Sequence, residues 1–236
     1  MKTSKLSVTF STIETLSARE QASLVTLYLR YYDGSSRARF LNDLKSKNEI
    51  MMMLDDGKII GFTTYELYDS VYRGEPVKVL YSGDTVVDHR YWGQQKFGFE
   101  WARRIGRYCR EFEGRPFYWF LIVKGHRTYR YLPAFVYNFY PHWTRKENAL
   151  RDVLIHLASE KFGTHYDQEL GIIRYDHSHG HLKDAYAYPT EREMRHEAVA
   201  YFLKKNPGYL HGDELACLCR IEASNFKPLT KRLILG

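Results

Sequence analysis

Apolar and polar positions along the chain follow two spacings, and the order of those spacings predicts an α/β protein. Ser7–Ile13 alternates and predicts a first strand. Ser17 and Glu20 form a capping box for a helix that carries Leu24, Leu27, Tyr28 and Tyr31 on one face, and Asp33-Gly34 ends it. A second helix over Ser36–Lys47 has Phe40, Leu41 and Leu44 as its stripe. Ile50–Leu54 and Lys58–Leu67 flank Asp55-Asp56-Gly57, a hairpin signal, and Tyr68–Glu75 reads as a loop.

The stretch from Val77 to Pro141 organises the rest. An extended run, Val77–Val87, enters a turn over Asp88–Gln95. A helix follows from Gln94 to Phe112, burying Phe97, Trp101, Ile105, Tyr108 and Phe112 at steps of four and three. A second apolar run, Pro116–Val123, leads into a short aromatic helix over Thr128–Tyr140. Buried strands alternating with helices imply parallel pairing. Thr144 and Glu147 suggest a capping box for a helix to Phe162, with Gly163 as its stop. Residues 164–189 are irregular, with Ile172-Ile173 as a short strand. Thr190 and Glu193 open a last helix to Lys205, and Leu215–Ile221 is a final strand.

Composition narrows this picture only a little. The chain has 236 residues, 44% hydrophobic and 27% charged, which places it among globular proteins. A net charge of +7 favours an anionic partner: a coenzyme, an acidic carrier protein, nucleic acid or a membrane surface. Cys109, Cys217 and Cys219 make neither a disulfide framework nor a zinc spacing, so the expected compartment is the reducing cytoplasm. No run is long and apolar enough to predict a membrane span, and MKTSKLSVTF lacks the apolar core of a signal peptide. The alternating His177, His179 and His181 allow a metal reading or a plain loop; no metal is expected.

The turn after Val77–Val87 resembles that of the GCN5-related N-acetyltransferase (GNAT) family. There an Arg/Gln-x-x-Gly-x-Gly/Ala turn opens a helix and holds the coenzyme A pyrophosphate. Arg90 and Gly93 match, whereas Gln95 stands where the family prefers a small residue. The resemblance spans roughly residues 7 to 142 as an order of elements. It implies a GNAT-like α/β fold: a central mixed, mostly antiparallel sheet with a splayed parallel strand pair. Residues 1–143 would form the core and 144–236 a C-terminal elaboration packed on it.

The resemblance also implies a chemistry, N-acyl transfer from acyl-CoA or acetyl-CoA to an amine directly, without an acyl-enzyme. The coenzyme would lie against Val86, Val87, Arg90, Tyr91, Trp92, Gly93, Gln94, Gln95 and Lys96, with the N–H groups at the helix start facing the pyrophosphate. Arg103 and Arg104 are further candidates, for the 3′-phosphate. Backbone N–H near Val86 or Val87 would polarise the thioester. The amine must lose a proton and the thiolate gains one. Glu66 and Asp84 are the first candidate bases and His89 a third, though Ser82 could instead satisfy Asp84 locally. Tyr137 and Tyr140 are the candidate acids, with simple packing as the alternative. Tyr31, Tyr32 and Phe40 lie where the family places its acceptor, with ordinary helix-to-sheet packing as the alternative. An acyl carrier protein is a second donor compatible with the basic surface. Two rival readings stand beside this one: a non-catalytic GNAT-like module that senses acyl-CoA or holds a protein, and a basic nucleic-acid-binding protein. No nucleic-acid motif supports the latter. The sequence does not choose the acceptor, the acyl length or the oligomeric state.

Overall fold

The structure is a computed structural model that describes residues 6–145 and 149–236. Strand β1 (Leu6–Thr12) precedes helix α1 (Ala18–Tyr31), whose Ser17–Glu20 capping box forms as the spacing predicts. A two-residue strand, β2 (Tyr32–Asp33), leads into α2 (Arg37–Lys45). Then come β3 (Glu49–Asp55), β4 (Lys58–Tyr72) and β5 (Glu75–Val87). Helix α3 (Gln95–Glu111) connects to β6 (Phe117–Val123), followed by two short helical turns, α4 (His126–Tyr129) and α5 (Tyr131–Phe135). The C-terminal part adds α6 (Leu150–Phe162), β7 (Tyr166–Asp167), β8 (Ile172–Ile173) and β9 (His181–Leu182). It finishes with α7 (Asp184–Ala187), α8 (Glu191–Met194), α9 (Glu197–Lys205), β10 (Glu214–Arg220) and α10 (Pro228–Leu235).

Eight strands form one mixed sheet in the order β1-β3-β4-β5-β6-β10-β8-β7. Among the described residues only β5 and β6 pair in parallel. This is the sheet with a parallel pair that the resemblance implies. One face is covered by α3, α10 and α9, with Trp101, Ile105, Trp119, Leu121 and Phe202 in its core. The other is covered by α1 and α2 at one end and by α6 at the other. Residues alternate between the faces as the pleat requires: Trp119 and Leu121 join one core, Tyr118 and Phe120 the other.

Several elements differ from the sequence expectation. Tyr68–Glu75 is not a loop: β4 and β5 continue through it to a tight turn at Arg73-Gly74, both with positive φ. The aromatic helix ends at Phe135, and the chain then runs extended. Asn225 captures it there: the Asn225 carbonyl accepts from the Tyr137 N–H at 2.9 Å and its side chain from the Asn138 N–H at 2.7 Å. These tertiary bonds outweigh local helix preference. The last helix is broken into α8 and α9 between Met194 and Glu197, although the Thr190–Glu193 capping box forms. The capping box expected at Thr144 and Glu147 lies in part outside the described residues. Residues 144–236 do more than pack on a finished core, because β10 enters the sheet itself, antiparallel to β6 from Tyr118 to Val123.

Two local features shape the centre of the sheet. Pairing of β5 with β6 runs from Lys78↔Phe117 to Ser82↔Leu121 and stops, although both strands continue. At the same height β5 bulges: Thr63 pairs with Thr85 and Tyr65 with Ser82, so Gly83 and Asp84 together oppose Thr64. A Cβ at Gly83 would meet the far end of the Lys47 side chain at 2.9 Å, so that side chain would have to shift to admit one.

On the opposite edge of α3, Gly106 lets α10 approach, because a Cβ would run into the Ile234 backbone. Gly106→Ala should destabilise the fold by about 1–3 kcal/mol, the usual cost of overpacking. Urea unfolding should show it, with faster amide exchange confined to 228–235 as the structural signature.

Candidate functional site

The gap where β5 and β6 separate joins chambers on opposite sides of the sheet. The first, about 520 Å3, lies on the α3 side. Its walls come from the end of β5, the turn into α3, and α4, α5 and α10. Its floor is largely aromatic, with Phe97, Tyr131 and Phe135. A narrow apolar slot of about 30 Å3 extends it toward Trp101 and Trp119. The second chamber, about 350 Å3, lies on the face of α1, α2 and α6 and is lined by charged side chains. Thr85 and Thr128 line both chambers and the slot between them.

The turn into α3 is held from several sides. Tyr31 accepts from the His89 N–H at 2.8 Å, and the Trp92 indole donates to the Val87 carbonyl at 2.8 Å. Arg127 lies 4.0 Å over the Trp92 ring and donates to Glu193 and to the Tyr186 carbonyl. Gly93 has φ +85° with open space around it, so its backbone conformation is what calls for glycine. Gln94 caps α3 without any side-chain bond, leaving the first-turn N–H groups to an external acceptor.

The expected coenzyme-contacting residues divide here. Val86, Val87, Tyr91, Trp92, Gly93, Gln94 and Gln95 line the α3-side chamber. Arg90 and Lys96 do not. Arg90 folds back on buried Asp88, donating from its N–H, Nε and a terminal nitrogen at 3.1, 3.0 and 2.8 Å. That pairing holds the Asp88 carboxyl well below the usual carboxylate range. Lys96 points into solvent. Arg103 pairs with Glu100, and Arg104 with Glu49 beside Tyr108. Arg130, which the sequence reading passed over, is the basic side chain on the chamber wall with no ion pair among the described residues.

The two carboxylate candidates for the base lie together in the charged chamber, whereas His89 sits in the turn after β5 and lines neither chamber. Glu66 is committed to Lys161 at 2.7 Å. Asp84 has no such partner, and its carboxylate accepts no hydrogen bond among the described residues, so Ser82 does not satisfy it; Ser82 instead accepts from the Trp119 indole at 2.8 Å. Burial pushes the Asp84 pKa up to about 7, the nearby charges of Asp43 and Glu214 add to this, and Lys124 and Lys47 oppose it. Glu214 and Lys124 pair at 3.3 Å beside it. Burial also raises Glu214, and Lys124, despite its burial, is held above its ordinary value by Glu214 and Asp84. Tyr32 and Phe40 line this chamber; Tyr31 lines only the other.

Tyr137 and Tyr140 are brought to neither chamber. Tyr137 is exposed under Lys227, and Tyr140 bridges to Leu218. The tyrosine that does reach the slot is Tyr131, whose pKa burial raises to about 12. Its signal in the sequence was only membership of the same aromatic run. The histidine tract is dispersed: His179 stacks on Tyr175 at 3.6 Å, while His181 pairs with Asp33 in β9. Among the described residues no three His, Cys, Asp or Glu side chains are disposed to hold a metal ion. Nor is any described helix long and apolar enough to cross a membrane.

A turn opening a long helix with unbonded first-turn amides, and a parallel strand that parts from the first, are the arrangement the resemblance implies. The fold is GNAT-like. No protein-family model matches the chain. No curated protein matches it either. Solved structures similar to it include a probable N-acyltransferase from Enterococcus faecalis, at TM-score 0.43 and 11% identity, covering 57% of this chain and 33% of that one. A GCN5-related N-acetyltransferase from Kribbella flavida gives 0.42 and 15%, covering 55% and 33%. A GNAT family N-acetyltransferase from Escherichia coli in complex with CoA gives 0.37 and 17%, covering 56% and 68%. The alignments thus span only a third of the first two proteins.

Native Asp84 holds its proton more tightly than an unfolded aspartate, whose pKa is about 3.9. Stability should therefore fall as pH rises from about 4 to about 7, the window between the unfolded and folded values. Asp84→Asn should flatten that slope, measured as urea midpoints across the same pH range.

Proposed function

We propose that the protein is an N-acyltransferase that moves an acyl group from acyl-CoA to an amine in one direct step. The observation that carries this reading is the meeting of an aromatic chamber and a charged one at the β5–β6 gap. A thioester reaching through the first would meet an amine held in the second.

The α3-side chamber suits the coenzyme. The amides of Gly93, Gln95 and the first turn of α3 face where a pyrophosphate would lie, at the positive end of the helix, while the Gln94 N–H donates to the Tyr91 carbonyl. Arg130 supplies a countercharge that Arg90, tied to Asp88, does not. The pantetheine arm would follow the end of β5, whose backbone beyond Ser82 has no β6 partner and so is free to bond it. In the reaction the amine nitrogen attacks the thioester carbonyl carbon, and backbone N–H near Val86 stabilises the oxyanion. Asp84 takes the proton the amine loses. The C–S bond then breaks, and the Tyr131 hydroxyl protonates the departing thiolate, regaining its proton from solvent. A carboxylate with a pKa of about 7 is suited to this, being largely ionised just above neutrality yet basic enough to accept a proton.

A module that binds acyl-CoA without turnover is the second reading, favoured by the withdrawal of Arg90 and by Gln95 in place of a small residue. The donor could also be an acyl carrier protein, for which the basic surface is suited.

Thermal unfolding with acetyl-CoA, free CoA and a long-chain acyl-CoA tests the donor site, since a ligand of the native state raises the midpoint by mass action. A shift that Gly93→Trp abolishes is expected; no shift with any of them removes the coenzyme reading. With an acceptor in hand, kcat should rise with pH through about 7. Asp84→Asn should lower kcat by about 10²–10⁴-fold and Tyr131→Phe by less. Midpoint shifts without CoA release from any acceptor would select the binding module.

A further inference from the structure

The charges of the second chamber define its ligand more closely than its volume does. Most of them are already paired. Lys47 meets Asp43 at 2.9 Å, Lys161 meets Glu66 at 2.7 Å, and Lys124 meets Glu214 at 3.3 Å. Two opposite charges of the lining have no ion pair among the described residues, Asp84 and Arg39. They sit at different depths. Asp84 is on the bulge beside the β5–β6 gap, next to Lys124 and Glu214. Arg39 is exposed on α2, at the mouth, where it donates to the Ser178 carbonyl at 2.6 Å.

The mouth is built by the C-terminal part of the chain. Pairing of β2 with β9 brings the segment around 175–182 against the end of α1. His179, stacked on Tyr175, completes the rim beside Arg39. The resulting chamber, about 350 Å3, is at the small end of the range for ligand sites. It fits a compact molecule.

We propose that the acceptor is a small zwitterion of the amino-acid class, a primary amine bearing a carboxylate or similar acid group, with its amine at Asp84 and its acid at Arg39. This rests on the acyltransferase reading above. A polyamine or other polycation finds one free carboxylate and then the ammonium groups of Lys47, Lys124 and Lys161. A simple alkylamine leaves Arg39 with only a backbone partner. An amine with an acid at its far end satisfies both leftover charges. Arg39 is then a specificity residue: it touches the acceptor but takes no part in the transfer.

The test measures CoA release from acetyl-CoA with a panel of amino acids, including 4-aminobutyrate, each beside the amine that lacks its carboxylate, together with 1,4-diaminobutane and spermidine. An acid-bearing amine should be preferred over its counterpart by at least about tenfold in kcat/KM, the scale of one charge-assisted contact. Arg39→Gln should erase the preference by raising KM for the acid-bearing amine while sparing its counterpart, and Arg39→Lys should restore part of it. Unchanged urea midpoints would show that the variants fold. A preference for diamines or for the decarboxylated amines overturns the proposal. So does an equal loss for both members of a pair in Arg39→Gln, or acetyl-CoA binding with no amine of the panel consumed. If acetyl-CoA neither binds nor turns over, the acyltransferase reading fails instead. Saturation-transfer NMR of the same amine pairs then probes the chamber directly, and contact with the acid-bearing member that Arg39→Gln removes is the expected result; no contact, or equal contact by both members, overturns the proposal.

Discussion

Hydrogen bonding between β5 and β6 stops at Ser82–Leu121, and everything of chemical interest follows from that interruption. The strands do not simply fray. β6 is held on its far edge by β10 as far as Val123, so it cannot follow β5. β5 bulges at Gly83-Asp84 while staying paired to β4, and a bulge bends its strand and increases its twist. The Trp119–Ser82 bond fixes the last shared position. Two strands gripped by different neighbours therefore part at a defined height, leaving backbone groups without a sheet partner in the middle of the molecule.

The bulge also decides which chemistry faces which side. In a regular strand Gly83 and Asp84 would point to opposite faces; here both line the charged chamber. A carboxylate in that position is costly, and the surrounding pairs of Lys and carboxylate do not cancel the cost. The result is an acid whose proton is held to about neutrality. The aromatic side, by contrast, carries few charges: Arg127 is spent on Glu193 and on the Trp92 ring, and His126 is buried neutral, its pKa lowered to about 4 by burial and by the Arg127 charge.

Much of the fold was legible in the sequence because it is local. The Ser17–Glu20 cap, the Asp56-Gly57 turn, the apolar face of α3 and the continuous run of β6 each declare themselves within one window. The extended segment after Phe135 did not, because the bonds that hold it come from Asn225 and Leu218, far along the chain. The same limit applies to the site. The turn at Val86–Gln95 is a contiguous motif and most of it lines the chamber. Arg90 is absent from that wall because Asp88, two residues before it, offers a nearer anion. Asp84 stood out as a charge inside an apolar strand. Glu214, Lys124 and Arg39 gave no comparable signal, since each is an ordinary charged residue at the end of an element or on a helix until the topology gathers them.

Strand β10 has one further consequence. Its first residue, Glu214, faces the charged chamber, while Leu215 enters the apolar core on the other side, and the alternation continues through Cys219. A single-residue insertion or deletion before this strand that shifted its pairing would exchange the two faces, turning apolar side chains of one core toward the other side of the sheet. A side chain replaced by another of like polarity leaves the two faces as they are, whereas a change in the spacing between Gly212 and Glu214 does not. In this part of the chain, length is the constrained quantity.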